Sequence, residues 1–349
     1  MTIIIGAGLS GLLTAFRLKQ AGIPFKVMEA RERVGGRINT LSEADGPPLE
    51  MGATWFGDQH IHLKALLQEL GIDGFEQYME GTAFFQPFST SPAESIQVPA
   101  QPPSYRISGG SFSLIRSLYE RLDTNAVHFN QAVKQIRFHK DGATVFAAEV
   151  FEADRIVMAL PPKLWANKIS FSPPLPNDLR EIALQTQTWM EDSIKVALTY
   201  EKDFWQEENL SGTLFSNTGP ITELYDHSNR QRSKYALCGF IHSGFKQLSH
   251  SQRQALVISQ LKGVFGTKAE AFTGYEECIW SNEEYTCAAS DAEHYPHQNN
   301  GNPVFTRSLY GGKLILSGSE TAPTYPGYMD GAVFSANEAA GKIVALSPH

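Results

Sequence analysis

The chain has 349 residues, 42% of them hydrophobic and 11% aromatic, which is enough to bury a large core and to form two interleaved domains. Its formal net charge of −8 gives no electrostatic basis for binding nucleic acid or a membrane surface, so we expect a small-molecule partner. Cys238, Cys278 and Cys287 form neither a disulfide framework nor a CxxC motif, which is typical of a reducing compartment. We expect a cytoplasmic protein without a signal peptide or membrane anchor. The composition does not indicate an oligomeric state.

The first forty residues carry a nucleotide-binding pattern. Thr2 to Ile5 is a short β-branched run typical of a buried parallel strand, and the residues after the following turn have helical spacing. At that turn Gly6 permits the sharp bend, Gly8 lets the backbone approach a pyrophosphate, and Gly11 lets the helix pack against the strand. The pyrophosphate would lie on the helix N-terminus. The pattern predicts a nucleotide site, the alternative being a glycine-rich turn without a ligand.

An acidic residue follows at the expected distance. A second predicted strand, Phe25 to Met28, ends at Glu29, whose carboxylate can accept the ribose hydroxyls of an adenosine. These features do not decide between NAD and FAD. The continuation from Arg31 through Gly36 to Arg37 resembles the segment by which the glutathione-reductase-like FAD enzymes, and the flavin-containing amine oxidases in particular, hold the diphosphate. The resemblance implies an FAD site in which these three residues take part.

A second segment similar to the amine oxidases lies between Leu49 and Gly57. It matches the stretch that runs past the flavin in that family. Its small residues Gly52, Ala53 and Thr54 suit a close approach of the backbone to a ligand. We therefore expect these three residues to lie against the cofactor.

Between the motifs, the pattern alternates helices and strands. Helical spacing from His60 to Leu70, stopped by Gly71, predicts a helix with His60 and His62 at the surface. From Ile72 to Ser104, short apolar runs broken by prolines predict hairpins and loops that contribute to a substrate domain. Further helices are predicted to end at 122 and to span 179–183 and 251–264. Further strands are predicted at 126–130, 133–139, 144–148, 194–200, 235–241 and 314–317, with a hairpin turn at Asp141-Gly142. A buried strand at 154–160 is predicted to stop at Pro161 and Pro162.

The middle of the chain resembles the second half of the family's FAD domain. Val133 matches the residue whose backbone meets the adenine, and at Trp280 the chain returns to the cofactor. The resemblance implies a mixed α/β fold, with a Rossmann-like FAD-binding domain and an interleaved substrate domain on a mixed β-sheet. We assign residues 1–71, 106–188 and 275–349 to the discontinuous FAD-binding domain and residues 72–105 and 189–274 to the substrate domain.

The segment from Gly318 to Ala332 is similar to the C-terminal flavin motif of monoamine and polyamine oxidases. Glu320 can accept ribityl hydroxyls, and a helix beginning near Met329 would direct its N-terminal N–H groups at the flavin N1–C2 carbonyl edge. The alternative is a glycine-rich loop that caps a surface helix.

Lys195 is the candidate catalytic cation. It alternates with Ile194 and Val196 along a predicted strand, where a lysine on the solvent face is the ordinary explanation. The flanking segments, Phe171 to Pro176 and Lys202 to Trp205, resemble the frame of the family lysine that holds a water against flavin N5. We favour this functional interpretation.

The sequence departs from the monoamine oxidases on the substrate side. That family sets two tyrosines before the flavin, the first of them after a cysteine that bonds the flavin covalently. In this chain Ala289 stands at the attachment position and Ser290 at the first tyrosine, whereas Tyr328 keeps the second. FAD is therefore predicted to be non-covalent. Cys287, two positions away, is better explained as a small buried hydrophobe.

Other chemistries find little support. His294 and His297 share a loop, but no cysteine or carboxylate accompanies them at ligand spacing, so no metal site is predicted. Hydride transfer to a flavin needs no Ser-His-Asp arrangement because the cofactor carries that chemistry.

The resemblance implies an FAD-dependent oxidoreductase of the amine oxidase type. Such an enzyme oxidises an amine C–N bond to an imine by hydride transfer to flavin N5, and O2 reoxidises the flavin to give H2O2. Two alternatives stay open: an FAD-dependent dehydrogenase or desaturase acting on a non-amine substrate, and a non-catalytic FAD module that senses redox state.

Overall fold

The computed structural model describes residues 1–41, 46–98, 100–288 and 295–347. Within these ranges the helices are α1 Leu9–Gln20, α2 Ile61–Leu70, α3 Phe112–Glu120, α4 Pro162–Lys168, α5 Asn177–Leu184, α6 Phe204–Glu207, α7 His250–Phe265 and α8 Met329–Ala345. Short 3₁₀ helices span Ser243–Phe245, Thr267–Glu270, Trp280–Asn282, Pro303–Thr306, Tyr310–Gly312 and Ser319–Thr321.

The strands of the same ranges, in chain order, are β1 Thr2–Ile5, β2 Phe25–Met28, β3 Thr40–Leu41, β4 Leu49–Glu50, β5 Trp55–Gly57, β6 Gly74–Glu76, β7 Thr82–Gln86, β8 Glu94–Ile96, β9 Ser104–Ile107, β10 Val127–His128, β11 Gln135–His139, β12 Gly142–Phe146, β13 Val150–Ala153, β14 Arg155–Met158, β15 Ser170–Ser172, β16 Ile194–Tyr200, β17 Leu210–Ser216, β18 Ile221–Asp226, β19 Tyr235–Ile241, β20 Phe272–Ile279 and β21 Leu314–Leu316.

A five-stranded parallel sheet lies at the centre of the nucleotide-binding half. Its strand order is β10-β2-β1-β14-β21, so β1 pairs with both β2 and β14. Ile3, Ile4 and Ile5 are buried on both faces of the sheet, which explains why the strand is an unbroken β-branched run. Helices α1 and α8 pack together over one face. The strand–turn–helix predicted at the N-terminus is confirmed.

A seven-stranded mixed sheet forms the second large layer, in the order β20-β16-β19-β18-β17-β7-β8. Ile194, Val196 and Leu198 of β16 pack in one core with side chains of α7. Ala197, on the other face, packs against Met51 of the nucleotide-binding half. Both faces of β16 are therefore covered, and neither is a solvent face.

Three smaller sheets complete the fold: β13-β12-β11-β15, β5-β9-β6 and β3-β4. The hairpin predicted at Asp141-Gly142 joins β11 to β12, with His139 opposite Gly142. The fold is mixed α/β, as predicted.

The strand predicted before Pro161 and Pro162 is observed as β14, which ends at Met158. Helix α4 then begins at Pro162, a position where proline's missing N–H costs nothing. The prediction for His60 was wrong. His60 is 5% exposed rather than a surface residue. Its Nδ1 accepts a hydrogen bond of 3.0 Å from Gly57 N, and its ring packs against Tyr325. Spacing alone could not predict this, because the residue precedes α2 and is covered from the opposite end of the chain.

Among the described residues, no helix combines the length and apolarity needed to cross a membrane.

Candidate functional site

A cavity of about 390 Å³ opens where β1, β2 and β14 end. Parallel strands bring their carboxyl ends to one edge of a sheet, which is the usual place for a ligand in such folds. Residues from the beginning, middle and end of the chain line it. The predicted site residues that line the cavity are Gly6, Gly8, Glu29, Arg31, Gly36, Arg37, Ala53, Val133, Tyr328 and Met329.

The three glycines of the first turn have three different surroundings. Gly6 has a φ of +102°, and a Cβ there would lie 2.9 Å from Ala159 O. A Cβ on Gly11 would lie 1.9 Å from Gly6 O, so α1 and the turn could not pack as they do. A Cβ on Gly8 would meet nothing within 4 Å, because it would project into open space. The turn leaves room for a ligand at Gly8 alone of the three.

Glu29 is fixed by the backbone around it. Its side chain is buried, and its two carboxylate oxygens accept hydrogen bonds from Ala7 N at 2.8 Å and Arg31 N at 2.9 Å. Each oxygen keeps further lone-pair capacity, so the carboxylate can still accept hydroxyls from a ligand.

Arg31 lines the cavity, but its guanidinium holds a second segment of the chain. It donates to Glu283 Oε2 at 3.0 Å and to Thr286 Oγ1 at 2.8 Å, and it lies 5.6 Å from the centre of the Tyr285 ring. Residues 284–286 also line the cavity. Arg31 therefore fastens the 283–286 segment over the same end of the cavity as Glu29.

Arg37 and Glu320 form a buried ion pair between the two ends of the chain. Arg37 Nη2 donates to Glu320 Oε2 at 2.9 Å and to Ser319 Oγ at 3.0 Å, and Nη1 donates to Glu320 Oε1. Burial acts to raise the pKa of Glu320, but the Arg37 charge outweighs it and holds this pKa below its usual value. Glu320 is fully buried and lies behind Arg37, which is the member of the pair that lines the cavity.

Helix α8 begins at the cavity with Met329. A Cβ on Gly331 would lie 2.5 Å from Tyr325 O, so glycine allows the first turn to pack against the preceding loop. Asp330 accepts a hydrogen bond of 2.8 Å from Leu63 N and thereby joins α8 to the start of α2. The helix therefore presents its free N–H groups and the positive end of its dipole to the cavity.

Lys195 is 1% exposed, which excludes the solvent-face explanation. Its Nζ donates to Thr54 Oγ1 at 3.1 Å and lies 4.6 Å and 4.5 Å from the ring centres of Trp55 and Phe240. Thr54 follows Ala53, which lines the cavity. The ammonium group is therefore held directly behind the cavity wall.

Glu50 is a buried carboxyl group near Lys195 that the sequence reasoning missed. Its Oε2 accepts a hydrogen bond of 2.8 Å from Thr40 Oγ1, and its Oε1 accepts one from Ser111 N. Burial raises the pKa of Glu50 to about 7, although the Lys195 charge acts in the opposite direction. No motif marks this residue, since its environment is assembled from three separate segments.

Tyr328 is about one-third exposed and carries its ring beside two others. The ring centres of Trp189 and His297 lie 5.8 Å and 5.9 Å from that of Tyr328. Trp189 lines the cavity, and its carbonyl oxygen accepts from Arg37 Nη1 at 3.3 Å. The sequence reasoning missed Trp189 because it belongs to no motif.

Some predicted residues lie away from the cavity surface. Trp280 is fully buried, and its Nε1 donates to Met51 O at 2.6 Å. Gly52 packs against the backbone of Arg37, where a Cβ would lie 2.0 Å from the carbonyl oxygen. Neither residue lines the cavity; Trp280 bonds Met51, and Gly52 packs behind the backbone of Arg37, which does line it.

Three residues named in the sequence predictions, Ala289, Ser290 and His294, lie outside the described residues. Cys287 is 9% exposed, and burial raises the pKa of its thiol to about 12. Within the described part of the chain, no group of three or more potential ligands could hold a metal ion.

Comparison with known proteins identifies the family. The model of the flavin-containing amine oxidoreductases matches residues 9–105 and 94–344. The chain is 24% identical to a probable flavin-containing monoamine oxidase A from Dictyostelium discoideum, with 95% of each chain covered. It is 26% identical to putrescine oxidase from Kocuria rosea, with 84% of each chain covered.

A solved structure agrees with these matches. Wild-type putrescine oxidase bound to putrescine superposes with a TM-score of 0.85 at 25% identity, covering 99% of this chain and 98% of that one. The predicted Rossmann-like FAD-binding fold and the FAD cofactor are confirmed. This chain belongs to the flavin-containing amine oxidoreductase family and is an FAD-dependent oxidoreductase.

Proposed function

We propose that this enzyme is an amine oxidase that converts the C–N bond of a small amine into an imine, which water then hydrolyses. The observation that carries this proposal is the buried ammonium group of Lys195, held by Thr54 behind the wall of a cavity that Tyr328 borders. Relatives named for the oxidation of monoamines and of putrescine support amines as the substrate class.

The cavity fits FAD on the geometry of its own residues. Gly8 leaves open space at the N-terminus of α1, and Glu29 offers a fixed carboxylate beside it. At the other end, Met329 begins a helix whose N–H groups are free for an electronegative edge. FAD, when bound, supplies the acceptor for the hydride that leaves the amine carbon and passes two electrons to O2, which becomes H2O2.

The side chains around the cavity have separate tasks in this proposal. Tyr328 offers an aromatic face to the amine. The Arg37–Glu320 ion pair fixes Trp189 by its carbonyl group and joins the two ends of the chain at the cofactor. Lys195 holds a water through its remaining N–H groups and stabilises the negative charge that develops as O2 accepts electrons.

Several finer assignments belong to the same proposal. Residues 1–71, 106–188 and 275–349 form the FAD-binding domain, and residues 72–105 and 189–274 the substrate domain. The strands of the five-stranded sheet lie in the first set, and β20 spans one of the boundaries. FAD binds non-covalently, since Ala289 stands at the attachment position and Cys287 is two positions away. We propose a cytoplasmic location.

The test is anaerobic mixing of the purified holoenzyme with a panel of primary amines, polyamines and amino acids. At least one amine should bleach the flavin absorbance near 450 nm, and admitting air should restore it with stoichiometric H2O2. The matched alcohols serve as controls and should leave the flavin oxidised.

Two outcomes would contradict the proposal. If no amine reduces the flavin, the amine oxidase assignment fails. If an amine reduces it but air restores the absorbance slowly, whereas an artificial electron acceptor restores it quickly, the enzyme is a dehydrogenase.

A further inference from the structure

A short turn of the chain, residues 283–287, borders one end of the cavity. Thr286 N and Cys287 N both donate to Glu283 O, at 2.8 Å and 2.9 Å, and these two bonds close the turn. Residues 284–286 line the cavity. We name residues 283–287 the clasp turn.

The clasp turn lies at the end of the cavity that the proposed binding mode gives to the adenosine of FAD. Glu29 and Val133 mark this end, the first as the carboxylate for the ribose and the second as the match to the adenine contact. Arg31 follows Glu29 by two positions and lines the cavity as well. In the same binding mode Met329 marks the flavin end, so the clasp turn is remote from the reacting ring.

The guanidinium of Arg31 is bonded to the clasp turn at three points. Nη2 donates to Glu283 Oε2 at 3.0 Å and to Thr286 Oγ1 at 2.8 Å, and Nη1 donates to Tyr285 O at 3.4 Å. The Arg31 side chain is 13% exposed, and Thr286 is buried. Hydrogen bonds to a charged group are stronger than neutral ones, and more so where water is partly excluded.

The base of the clasp turn is fixed separately. Glu283 N donates to Trp280 O at 3.0 Å, and Trp280 N donates to Ser193 O at 3.1 Å. The Trp280 ring is fully buried and donates to Met51 O. The base therefore stays in place when the Arg31 contacts break, and the turn can open locally without unfolding the core.

A second ion pair reaches the clasp turn from the end of α4. Lys168 Nζ lies 3.9 Å from Glu284 Oε1, and both residues line the cavity. These side chains are 50% and 67% exposed, so solvent and salt screen the attraction between them. Arg31 therefore supplies most of the hold on the turn.

This arrangement differs from what the family resemblance implied for Arg31. The resemblance gave this arginine a part in holding the diphosphate, whereas the structure bonds both of its terminal nitrogens to protein acceptors. A ligand that passes the clasp turn separates it from Arg31. The rate of that separation then limits how fast the adenosine leaves.

We propose that Arg31 retains FAD indirectly, by fastening the clasp turn over the adenosine through Glu283 and Thr286. The proposal rests on the part of the proposed function that places FAD in this cavity. It makes Glu283 and Thr286 cofactor-retaining residues, although neither belongs to a nucleotide motif.

The experiment measures the exchange of bound FAD. Holoenzyme is mixed with an excess of isotopically labelled FAD, and the exchange rate is followed in the wild type and in Arg31→Gln, Glu283→Gln, Thr286→Val and the Arg31→Gln/Glu283→Gln double variant. The matched control is Glu276→Gln, which removes a carboxylate at an exposed position of β20. The urea midpoint of each apoprotein is measured in parallel.

We expect Arg31→Gln and Glu283→Gln each to release FAD about three- to tenfold faster, the range for a partly exposed, charge-assisted contact. Thr286→Val, which changes no charge, should act in the same direction. The double variant should be no faster than Arg31→Gln by more than about twofold, since both substitutions break the same contact. Urea midpoints should stay at the wild-type value, and Glu276→Gln should exchange FAD as the wild type does.

Four outcomes would overturn the proposal. If Arg31→Gln releases FAD faster while Glu283→Gln and Thr286→Val exchange at the wild-type rate, Arg31 acts on FAD directly. Slower release in Glu283→Gln has the same meaning, because it shows that freeing the guanidinium strengthens its hold on the diphosphate. Effects that multiply in the double variant show two independent contacts. A fall in the urea midpoint that follows the rise in exchange rate shows a general loss of stability.

Failure of the proposed function is distinct from all four. Purified protein that neither carries nor binds FAD would contradict the cavity assignment, and a bound flavin that no amine reduces would contradict the amine oxidase assignment. The exchange rates depend on neither amine nor O2.

Discussion

Lys195 and Glu50 are buried charged side chains that come from different layers of the molecule. A buried ammonium group is costly unless it is compensated, and Lys195 has the Thr54 hydroxyl and the faces of Trp55 and Phe240 as partners. These partners hold the group in one place behind the cavity wall. Its position, more than its charge alone, makes it a candidate for catalysis.

Replacing Lys195 by methionine should slow the reaction of the reduced enzyme with O2 by about 10²-fold, because the cation that stabilises developing negative charge is lost. The rate is measured by mixing photoreduced enzyme with air-saturated buffer. Lys202→Met, at an exposed position just after the same strand, is the control and should react as the wild type does. An unchanged rate in Lys195→Met would exclude this role.

Glu50 makes stability depend on pH. Its pKa rises from 4.5 to about 7 on folding because the carboxyl group is buried. The folded state therefore binds the proton more tightly, and this contribution to stability is present below pH 4.5 and is lost as the pH rises through about 7. The loss amounts to at most about 3 kcal/mol.

Glu50→Gln removes this titration. Between pH 4.5 and 7.5, the free energy of unfolding of the wild type should therefore fall relative to that of the variant, as measured by urea titrations at both pH values. A difference between the two proteins that is independent of pH would show that the Glu50 pKa is not raised.

At the scale of elements, two glycines of the turn between β1 and α1 have different roles, Gly11 in packing and Gly8 in ligand binding. Gly11→Ala places a methyl group against Gly6 O and should lower the free energy of unfolding by about 2 kcal/mol. Gly8→Ala meets open space, so stability should change by less than about 0.5 kcal/mol while FAD affinity falls at least about tenfold.

Urea denaturation of the apoproteins and FAD titration of both variants check this division. Equal destabilisation by the two substitutions would mean that Gly8 is a packing residue. Unchanged FAD affinity in Gly8→Ala would mean that the ligand does not approach the turn at that residue.

At the scale of the whole molecule, the cavity proposed for FAD joins segments that are far apart in the chain. Gly8, Val133 and Met329 all line it, and Arg37 is bonded to Glu320 across 283 positions. Unfolding separates these segments, so FAD binds the folded state alone.

FAD should therefore raise the melting temperature of the apoprotein in a concentration-dependent way. At a free FAD concentration of 100 Kd the stabilisation is about 2.7 kcal/mol. Calorimetric scans over a range of FAD concentrations measure it, with riboflavin, which lacks the adenosine diphosphate, as the weaker control. A melting temperature that does not respond to FAD would contradict the cavity assignment.

The sequence predicted much of the lining of the candidate cofactor site because the elements concerned are local. Gly6, Gly8 and Gly11 lie in one turn whose backbone requirements are written in consecutive residues, and Glu29 follows at the end of the next strand. Helices α2 and α7 were predicted close to their observed bounds from periodicity and end signals, and the start of α8 was predicted at Met329.

The residues that the sequence missed acquire their properties from distant partners. Glu50 accepts hydrogen bonds from Thr40 and Ser111, and the ring of Trp189 stacks on His297, which lies more than a hundred residues later. His60 was misplaced for the same reason, since Tyr325 and Tyr328 cover it.

By itself, therefore, the sequence determined the nucleotide turn, because the turn depends on a short motif of fixed spacing, and its resemblance to the amine oxidases indicated the family and the cofactor. The tertiary structure decided that Lys195 is buried, that Glu50 titrates near neutrality, and that Trp189 and His297 flank Tyr328. Burial and ring contacts depend on what other segments bring to a residue, and no single stretch of the sequence contains that information.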